Sequence, residues 1–393
     1  MATVPIGYLV AVALVTWCTL FALAPMRGGW IRGRLSWMFG FILNELPFVA
    51  FAWLLASTLL AIAQGDLRSP MGWTAFGLAL LTTAGLAVIV RRALRTRPAV
   101  QHALVIGLGA HWRTAIDAPM AGGLRRRLPL ASIMFAPLLV RRRNVERVAD
   151  IPYGEAGKWN RLDVYRDRAR PSGGPILVHL HGGGFRSGRK NREARPLLYR
   201  LASRGWVCIS ANYRLSPAAS FPDHLVDVKK VIAWAREHGQ EFGADPRSIF
   251  IAGSSAGGHL ASMAALTPND PSFQPGFERA DTSVAAAISM YGYYGPIDTG
   301  QPVPSSPMAY VHPDAPPFFV AHGDQDTYAP VDGARRFATA LRTASMHPVV
   351  YAELPGAQHS FDLFHSIRFE ALVDGIQAFA AWVRSSTHSS GRT

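Results

Sequence analysis

Gly253-Ser254-Ser255-Ala256-Gly257-Gly258 sets a serine at the centre of a G-x-S-x-G pattern, after the apolar run Ser248 to Ala252 and before a helical pattern from His259 to Leu266. In that pattern the serine occupies a strained strand-to-helix turn, and the positions two residues to either side must be small for the chains to approach. Ser255 is therefore the candidate nucleophile. A serine hydroxyl needs a general base, and the base needs a carboxylate that holds its tautomer and stabilises its charged form. His322-Gly323-Asp324-Gln325-Asp326 follows the run Phe318 to Ala321, and Gly356-Ala357-Gln358-His359-Ser360-Phe361 follows Val349 to Glu353. The chain order Ser255, Asp326, His359 is one that serves acyl transfer. Asp324 is the alternative acid and His365 the alternative base.

His181-Gly182-Gly183-Gly184-Phe185 follows the run Ile176 to Leu180. A tetrahedral intermediate needs backbone N–H donors aimed at its oxygen, and glycines let a loop turn them that way. Gly183, Gly184 and Ala256 are the expected donors, with His181 fixing the loop. A phosphate-cradling loop is excluded, because no Lys-Ser/Thr pair follows the glycines. Gly107 and Gly109 begin a dinucleotide-like pattern but lack its third glycine, and no strand, turn and helix series follows.

These loops require an ordered scaffold. Short β-branched runs alternate with helical patterns from Arg147 onward, the texture of an α/β fold with a mostly parallel sheet. Eight strands are predicted: Val148–Tyr153, Arg161–Tyr165, Ile176–Leu180, Val207–Asn212, Ser248–Ala252, Ala285–Met290, Phe318–Ala321 and Val349–Glu353. Helices are expected at Arg192–Ser203, Pro222–His238, Gly257–Leu266, Gly333–Thr343 and Arg368–Arg384. The Pro-rich stretches Pro268–Arg279 and Gly295–Pro317 are expected to cover the site.

Charge and hydropathy divide the chain. Residues 5–24, 46–65 and 70–90 are uncharged apolar runs, each long enough to span a bilayer as a helix. A cleaved signal peptide would want a basic residue before the first run, and Met-Ala-Thr-Val-Pro supplies none. Residues 1–90 thus read as a three-span transmembrane anchor. Residues 91–146 read as an Arg-rich membrane-proximal linker, and residues 147–393 as the catalytic domain. Arg125-Arg126-Arg127 and Arg141-Arg142-Arg143 frame Leu128 to Val140, which is too short to span and reads as an interfacial segment or a cap over the pocket. The arginines suit anionic lipid; without an accompanying aromatic-interleaved patch they do not suggest a nucleic-acid partner. Arg27, Arg32 and Arg34 in the first loop and Arg91, Arg92, Arg95 and Arg97 after the third span predict an external N-terminus and a cytoplasmic catalytic domain. Two cysteines, Cys18 and Cys208, build neither a disulfide framework nor a zinc site.

The H-G-G-G loop and the G-x-S-A-G-G turn, together with Asn212-Tyr213-Arg214-Leu215 ahead of Phe221-Pro222, resemble the hormone-sensitive-lipase-like esterases of the α/β-hydrolase superfamily. The resemblance covers about Arg147 to Trp382. It has two departures: Ser254 stands where the family usually has Asp, and the acid lies in His-Gly-Asp-Gln-Asp, which leans toward the feruloyl-esterase-like and formamidase-like branches. Three spans ahead of an Arg-rich linker look like the membrane-associated lipases and esterases of actinobacteria. The resemblance implies a membrane-anchored serine carboxylesterase or lipase acting on uncharged or lipid-like esters through an acyl-enzyme. Phe185, Tyr213, Tyr291 and Phe361 are the expected pocket walls. No metal or cofactor is implied, membrane lipids are the expected partner, and no oligomeric state is specified. Amide or formamide hydrolysis by the same residues is the alternative enzyme, and a non-catalytic binding protein on this scaffold the alternative of another class.

Overall fold

The computed structural model describes residues 5–390 apart from 126, 299 and 301–302; Arg126 of the first arginine triplet and part of the 295–317 loop therefore lie outside the described residues. Helices α1 (Ile6–Leu23), α2 (Trp30–Glu45), α3 (Pro47–Gln64) and α4 (Pro70–Leu94) come first. Three helical stretches are long and apolar enough to span a membrane: Ile6–Leu23, Pro47–Gln64 and Pro70–Leu108. On α1, Tyr8, Val12, Val15, Thr19 and Ala22 are buried, and on α4 Ala75, Ala79, Thr82, Leu86 and Ile89. Both sets recur every three or four residues, as one helix face must. Small residues bring the backbones together: a Cβ added at Gly85 would lie 2.9 Å from Thr19 Cγ2, and Thr16 and Thr82 share a 2.7 Å hydrogen bond. The opposite faces leave Ile6, Leu14, Trp53, Leu59 and Leu81 exposed, an apolar exterior that water does not favour.

The connection between α1 and α3, expected to be a loop, is the helix α2. Its short pattern was masked by Arg32, Gly33, Arg34 and Gly40, which interrupt an apolar run in sequence while leaving an ordered helix in space.

Residues 91–146 are also more structured than a linker. The polypeptide leaves α4 and continues as α5 (Thr96–Leu108), whose Val100 and Leu104 are fully buried in the same hydrophobic cluster as the central sheet. Gly375 admits Val100, since a Cβ there would meet Val100 Cγ1 at 2.2 Å. Arg125 pairs at 2.7 Å with both Glu370 and Asp374, so this part of the arginine excess is bound to the protein. After the short α6 (Ala118–Gly122), α7 (Leu130–Phe135) lies within the expected interfacial segment. There Ile133 is buried in one cluster with Ala93 and Ile367, while Phe135, Leu138 and Leu139 are exposed.

The strands are β1 (Val145–Pro152), β2 (Arg161–Asp167), β3 (Gly174–Leu180), β4 (Val207–Ala211), β5 (Ala244–Ser254), β6 (Ala286–Met290), β7 (Phe318–Gly323) and β8 (Val349–Leu354). They form one eight-stranded sheet in the order β1-β2-β4-β3-β5-β6-β7-β8, parallel from β4 through β8. All eight predicted strands are present. The inner strands are apolar along their whole length because helices cover both faces of the sheet. Those helices are α8 (Arg195–Ala202), α9 (Asp223–His238), α10 (Ala256–Leu266), α11 (Val331–Ala344) and α12 (Ile367–Ser390). Parallel strands put their carboxyl ends on one edge, and the loops after β3, β5, β7 and β8 gather there.

Candidate active site

Between the last residue of β5 and the first of α10 stands Ser255, at φ 55° and ψ −116°. That conformation is strained for a residue with a side chain, and the surroundings enforce it. A Cβ at Gly253 would sit 2.0 Å from Gly257 O, and one at Gly257 would sit 2.1 Å from Leu180 O, so neither glycine tolerates a substituent. The Ser255 N–H donates to Met290 O at 2.9 Å, and the residue retains 8% exposure.

The loops after β7 and β8 bring two further groups to it. His359 Nε2 lies 2.9 Å from Ser255 Oγ, and His359 Nδ1 lies 2.7 Å from Asp326 Oδ2. Asp326 Oδ1 accepts from the Tyr328 and Ala329 N–H groups, each at 2.8 Å. His322 Nε2 donates to Ala329 O at 2.7 Å and lies 3.3 Å from Asp326 Oδ2. Burial works against the Asp326 charge, but His359 and His322 outweigh it and hold the carboxyl well below the usual range. Asp324 turns away and accepts from Gly356 N at 2.7 Å, while His365 binds Glu370 through Nδ1. Neither alternative residue faces Ser255.

In the glycine loop Gly183 and Gly184 have φ values of +117° and +61°. The N–H groups of Gly183, Gly184 and Ala256 have no protein acceptor among the described residues. His181 stacks on Tyr213 at 4.4 Å, and the Tyr213 hydroxyl donates to His181 O at 2.8 Å.

The expected pocket walls need correction. Tyr213, Tyr291 and Phe361 are fully buried and present no surface to a substrate; they support the loops from behind. Tyr291 packs edge-on to His359 at 4.6 Å and to Phe361 at 4.8 Å. Phe185 alone of the four is partly exposed, stacked on His224 at 5.6 Å. Two aromatics that sequence reasoning missed also stand against His359. The Tyr328 ring lies 5.0 Å from His359, and Trp37 of α2 donates from Nε1 to His359 O at 3.3 Å. The position of Tyr328, two residues after Asp326, was its one available signal.

Beneath the site lies a buried polar network, also missed. Ser254 donates to Asp362 Oδ2 at 2.5 Å and accepts from His179 Nε2 at 3.2 Å, while Tyr291 donates to the other Asp362 oxygen. The carboxylate that the elbow lacks at position 254 is thus supplied by Asp362, from the loop after β8. Burial keeps His179 neutral, its pKa pushed down to about 3. Glu193 accepts from Gly182 N, and burial together with the Asp362 charge pushes its pKa up to about 8.

Because the folded protein binds the Glu193 proton more tightly than the unfolded chain, that group's stabilisation is complete below about pH 4.5 and is lost as pH rises through about 8. Thermal melts should therefore show a decline between about pH 5 and about pH 9 that Glu193→Gln flattens, since Gln keeps the acceptor for Gly182 N–H without the charge. Glu193→Ala leaves that N–H without its partner, and kcat is expected to fall about tenfold as the donor loop loosens.

Residues 162–302 match the BD-FAE family model. The probable carboxylic ester hydrolase LipM of Mycobacterium tuberculosis is 37% identical over 416 residues, covering 98% of this chain and 95% of that protein. Esterase LipQ of the same organism is 41% identical, over 61% of this chain and 63% of its own. A truncated carbohydrate esterase from gut microbiota superposes with a TM-score of 0.51 at 20% identity, over 62% of this chain and 96% of that one, a likeness of fold.

Proposed function

Because this chain belongs to the carboxylic ester hydrolases of the α/β-hydrolase fold, we propose that it is a membrane-anchored serine esterase that cleaves uncharged or lipid-like esters through an acyl-enzyme on Ser255. The observation that carries this is the unbroken chain of contacts from Ser255 Oγ through His359 to Asp326, set on a strained elbow. Ser255 Oγ attacks the ester carbonyl while His359 Nε2 takes its proton. Asp326 holds the imidazole with Nε2 toward the serine and balances the imidazolium charge. The oxyanion that forms meets the unpartnered N–H groups of Gly183, Gly184 and Ala256. His359 then gives the proton to the departing alcohol, and a water activated by the same nitrogen releases the acid.

Labelling with a fluorophosphonate, followed by turnover of short-chain, long-chain and arylformamide substrates, tests the reading. Labelling at Ser255 with ester turnover well above formamide turnover is expected. A chain that neither labels nor turns over any ester would overturn it.

Anchoring rests on the three helices with apolar exteriors, which at 1.5 Å per residue are about 27 Å or longer, close to the hydrocarbon thickness. Arg27 donates to Asp324 O at 3.0 Å and Asn44 to Gly356 O at 2.7 Å, which supports placing the first connection and the hydrolase domain on one side of the bilayer. With Arg27, Arg32 and Arg34 in that connection, the side is the cytoplasmic one. An alkaline phosphatase reporter fused after Thr393 should be inactive and a cytoplasmic reporter active; the reverse result would place the domain outside.

A further inference from the structure

The helix between the first two spans has two faces with different tasks. Gly33, Ser36, Gly40 and Asn44 are buried, and with Trp37 they look inward. Ile31, Leu35, Met38 and Ile42 recur on the opposite face and are 67%, 39%, 47% and 46% exposed. The inner face meets both loops that carry the acid and the base. Thr327 Oγ1 donates to Gly33 O at 2.8 Å, and a Cβ at Gly33 would lie 2.4 Å from Thr327 O, so only glycine permits this approach. Trp37 packs on Tyr328 at 5.6 Å and donates to His359 O, and Asn44 donates to Gly356 O. Glu45 closes the helix with a 2.8 Å pair to the fully buried Arg368.

The outer face is half open, with Ile42 set in a groove beside Leu14, Val15 and Trp53 of the neighbouring helices, and its surroundings identify what covers it. Helix α2 is joined through residues 24–29 to α1 and through Leu46 alone to α3, both long and apolar enough to span a membrane. Sixteen residues that include Arg32, Arg34 and Glu45 and are bonded to the hydrolase domain do not themselves cross. Arg27, Arg32 and Arg34 are exposed, and no acidic residue occurs from 24 to 44. The exposed Phe135, Leu138 and Leu139 belong to the same level, since Ile133 packs beside Ala93 with Phe48 and Val90 alongside, at the domain ends of α3 and α4. A cavity of about 610 Å³, lined by Arg27 and Trp30 on one side and Asp326, Thr327 and Tyr328 on the other, opens between the start of α2 and the acid's loop.

Resting on the esterase and anchor readings above, we propose that α2 is an in-plane strap. Its outer face beds into the leaflet from which α1 and α3 emerge, and its inner face holds the Asp326 and His359 loops, so that the site is set at the bilayer surface and takes its ester from there. Apolar area in the leaflet and arginines against anionic headgroups both favour this seat. Trp37 is then a positioning residue, acting through the His359 backbone.

The full chain is reconstituted in vesicles of equal parts phosphatidylcholine and phosphatidylglycerol, with a fluorophore on Met38→Cys in a Cys18→Ser background. Quenching by lipids carrying a doxyl group near the headgroup end of the acyl chain, and shielding from aqueous iodide, are expected. A label open to iodide overturns the proposal. So does one shielded but unquenched in a chain that crosslinks as a dimer, which would assign the face to a second copy. In the variant carrying Ile31→Ser, Leu35→Ser, Met38→Ser and Ile42→Ser, turnover of a vesicle-embedded ester should fall roughly tenfold while a water-soluble ester is turned over within about twofold of the parent. Equal retention of both activities overturns the proposal. Trp37→Phe, which keeps the ring and loses the donor, should lower kcat about threefold to tenfold on both esters and leave KM unchanged. A Trp37→Phe enzyme with unchanged kcat removes the positioning role. If the parent chain turns over neither ester, it is the esterase reading that fails, whereas the quenching result stands apart from activity.

Discussion

Ser255→Ala is expected to abolish fluorophosphonate labelling and to lower kcat by on the order of 10⁶, because no other group in the site can form the covalent intermediate. Folding should survive, since among the described residues Ser255 Oγ hydrogen-bonds only with His359 and alanine still fits the elbow. The neighbouring serine separates chemistry from architecture. Ser254 Oγ is fully buried, donating to Asp362 and accepting from His179. Ser254→Ala strips a hydrogen bond from each, with a loss of about 1–3 kcal/mol of stability. It should nevertheless keep kcat within about tenfold and still label, because neither Ser255 nor the candidate donors lose a direct partner. Thermal melts and active-site titration on the two variants give opposite patterns. A dead but stable Ser254→Ala enzyme beside a labelled Ser255→Ala enzyme would reverse the assignment.

The contrast between these serines also explains what was legible in the sequence. Ser255, Asp326 and His359 each follow an apolar strand, and the glycines around Ser255 are demanded by backbone contacts of about 2 Å, so local pattern and site geometry coincide. Asp362 and Glu193 carry no such pattern. Each is a single acid whose role shows only in its partners, Ser254 and Tyr291 from distant parts of the chain for one and Gly182, at the other end of the same loop, for the other. The aromatics fail for a related reason: nothing local distinguishes a Tyr facing a pocket from Tyr291, fully buried behind His359. Helix α2 was hidden because its two faces differ in character. Its Gly33 and Asn44 suit the hydrolase loops, its Gly40 lets it pack on α1, its Ile31, Leu35, Met38 and Ile42 look outward, and neither set alone makes an apolar run or a soluble amphipathic helix. The arginines of residues 91–146 could be counted but not paired, because Glu370 and Asp374, which hold Arg125, lie about 250 residues away.

Asp326→Asn should lower kcat by roughly 10⁴ with little change in substrate affinity. The reason lies in what surrounds the carboxylate. Oδ1 accepts two backbone N–H groups, from Tyr328 and Ala329, and an asparagine keeps both only by leaving its carbonyl oxygen there. Its NH₂ group must then take the place of Oδ2, facing His359 Nδ1 at 2.7 Å and His322 Nε2 at 3.3 Å. Two donors cannot share that contact, so His359 is driven to the tautomer with its proton on Nε2, pointing at Ser255 Oγ. In that form it cannot accept the serine proton. Asp324→Asn offers the comparison, for Asp324 Oδ1 accepts one N–H, from Gly356, and an asparagine oxygen serves there equally well. That variant should stay within about threefold of the parent, as expected for a neutral acceptor replacing a charged one. Single-turnover kinetics on both variants, with the acylation rate as the readout, separate the two carboxylates. Equal losses would mean that the loop after β7 acts as a unit, and a larger loss at Asp324 would move the acid to that position.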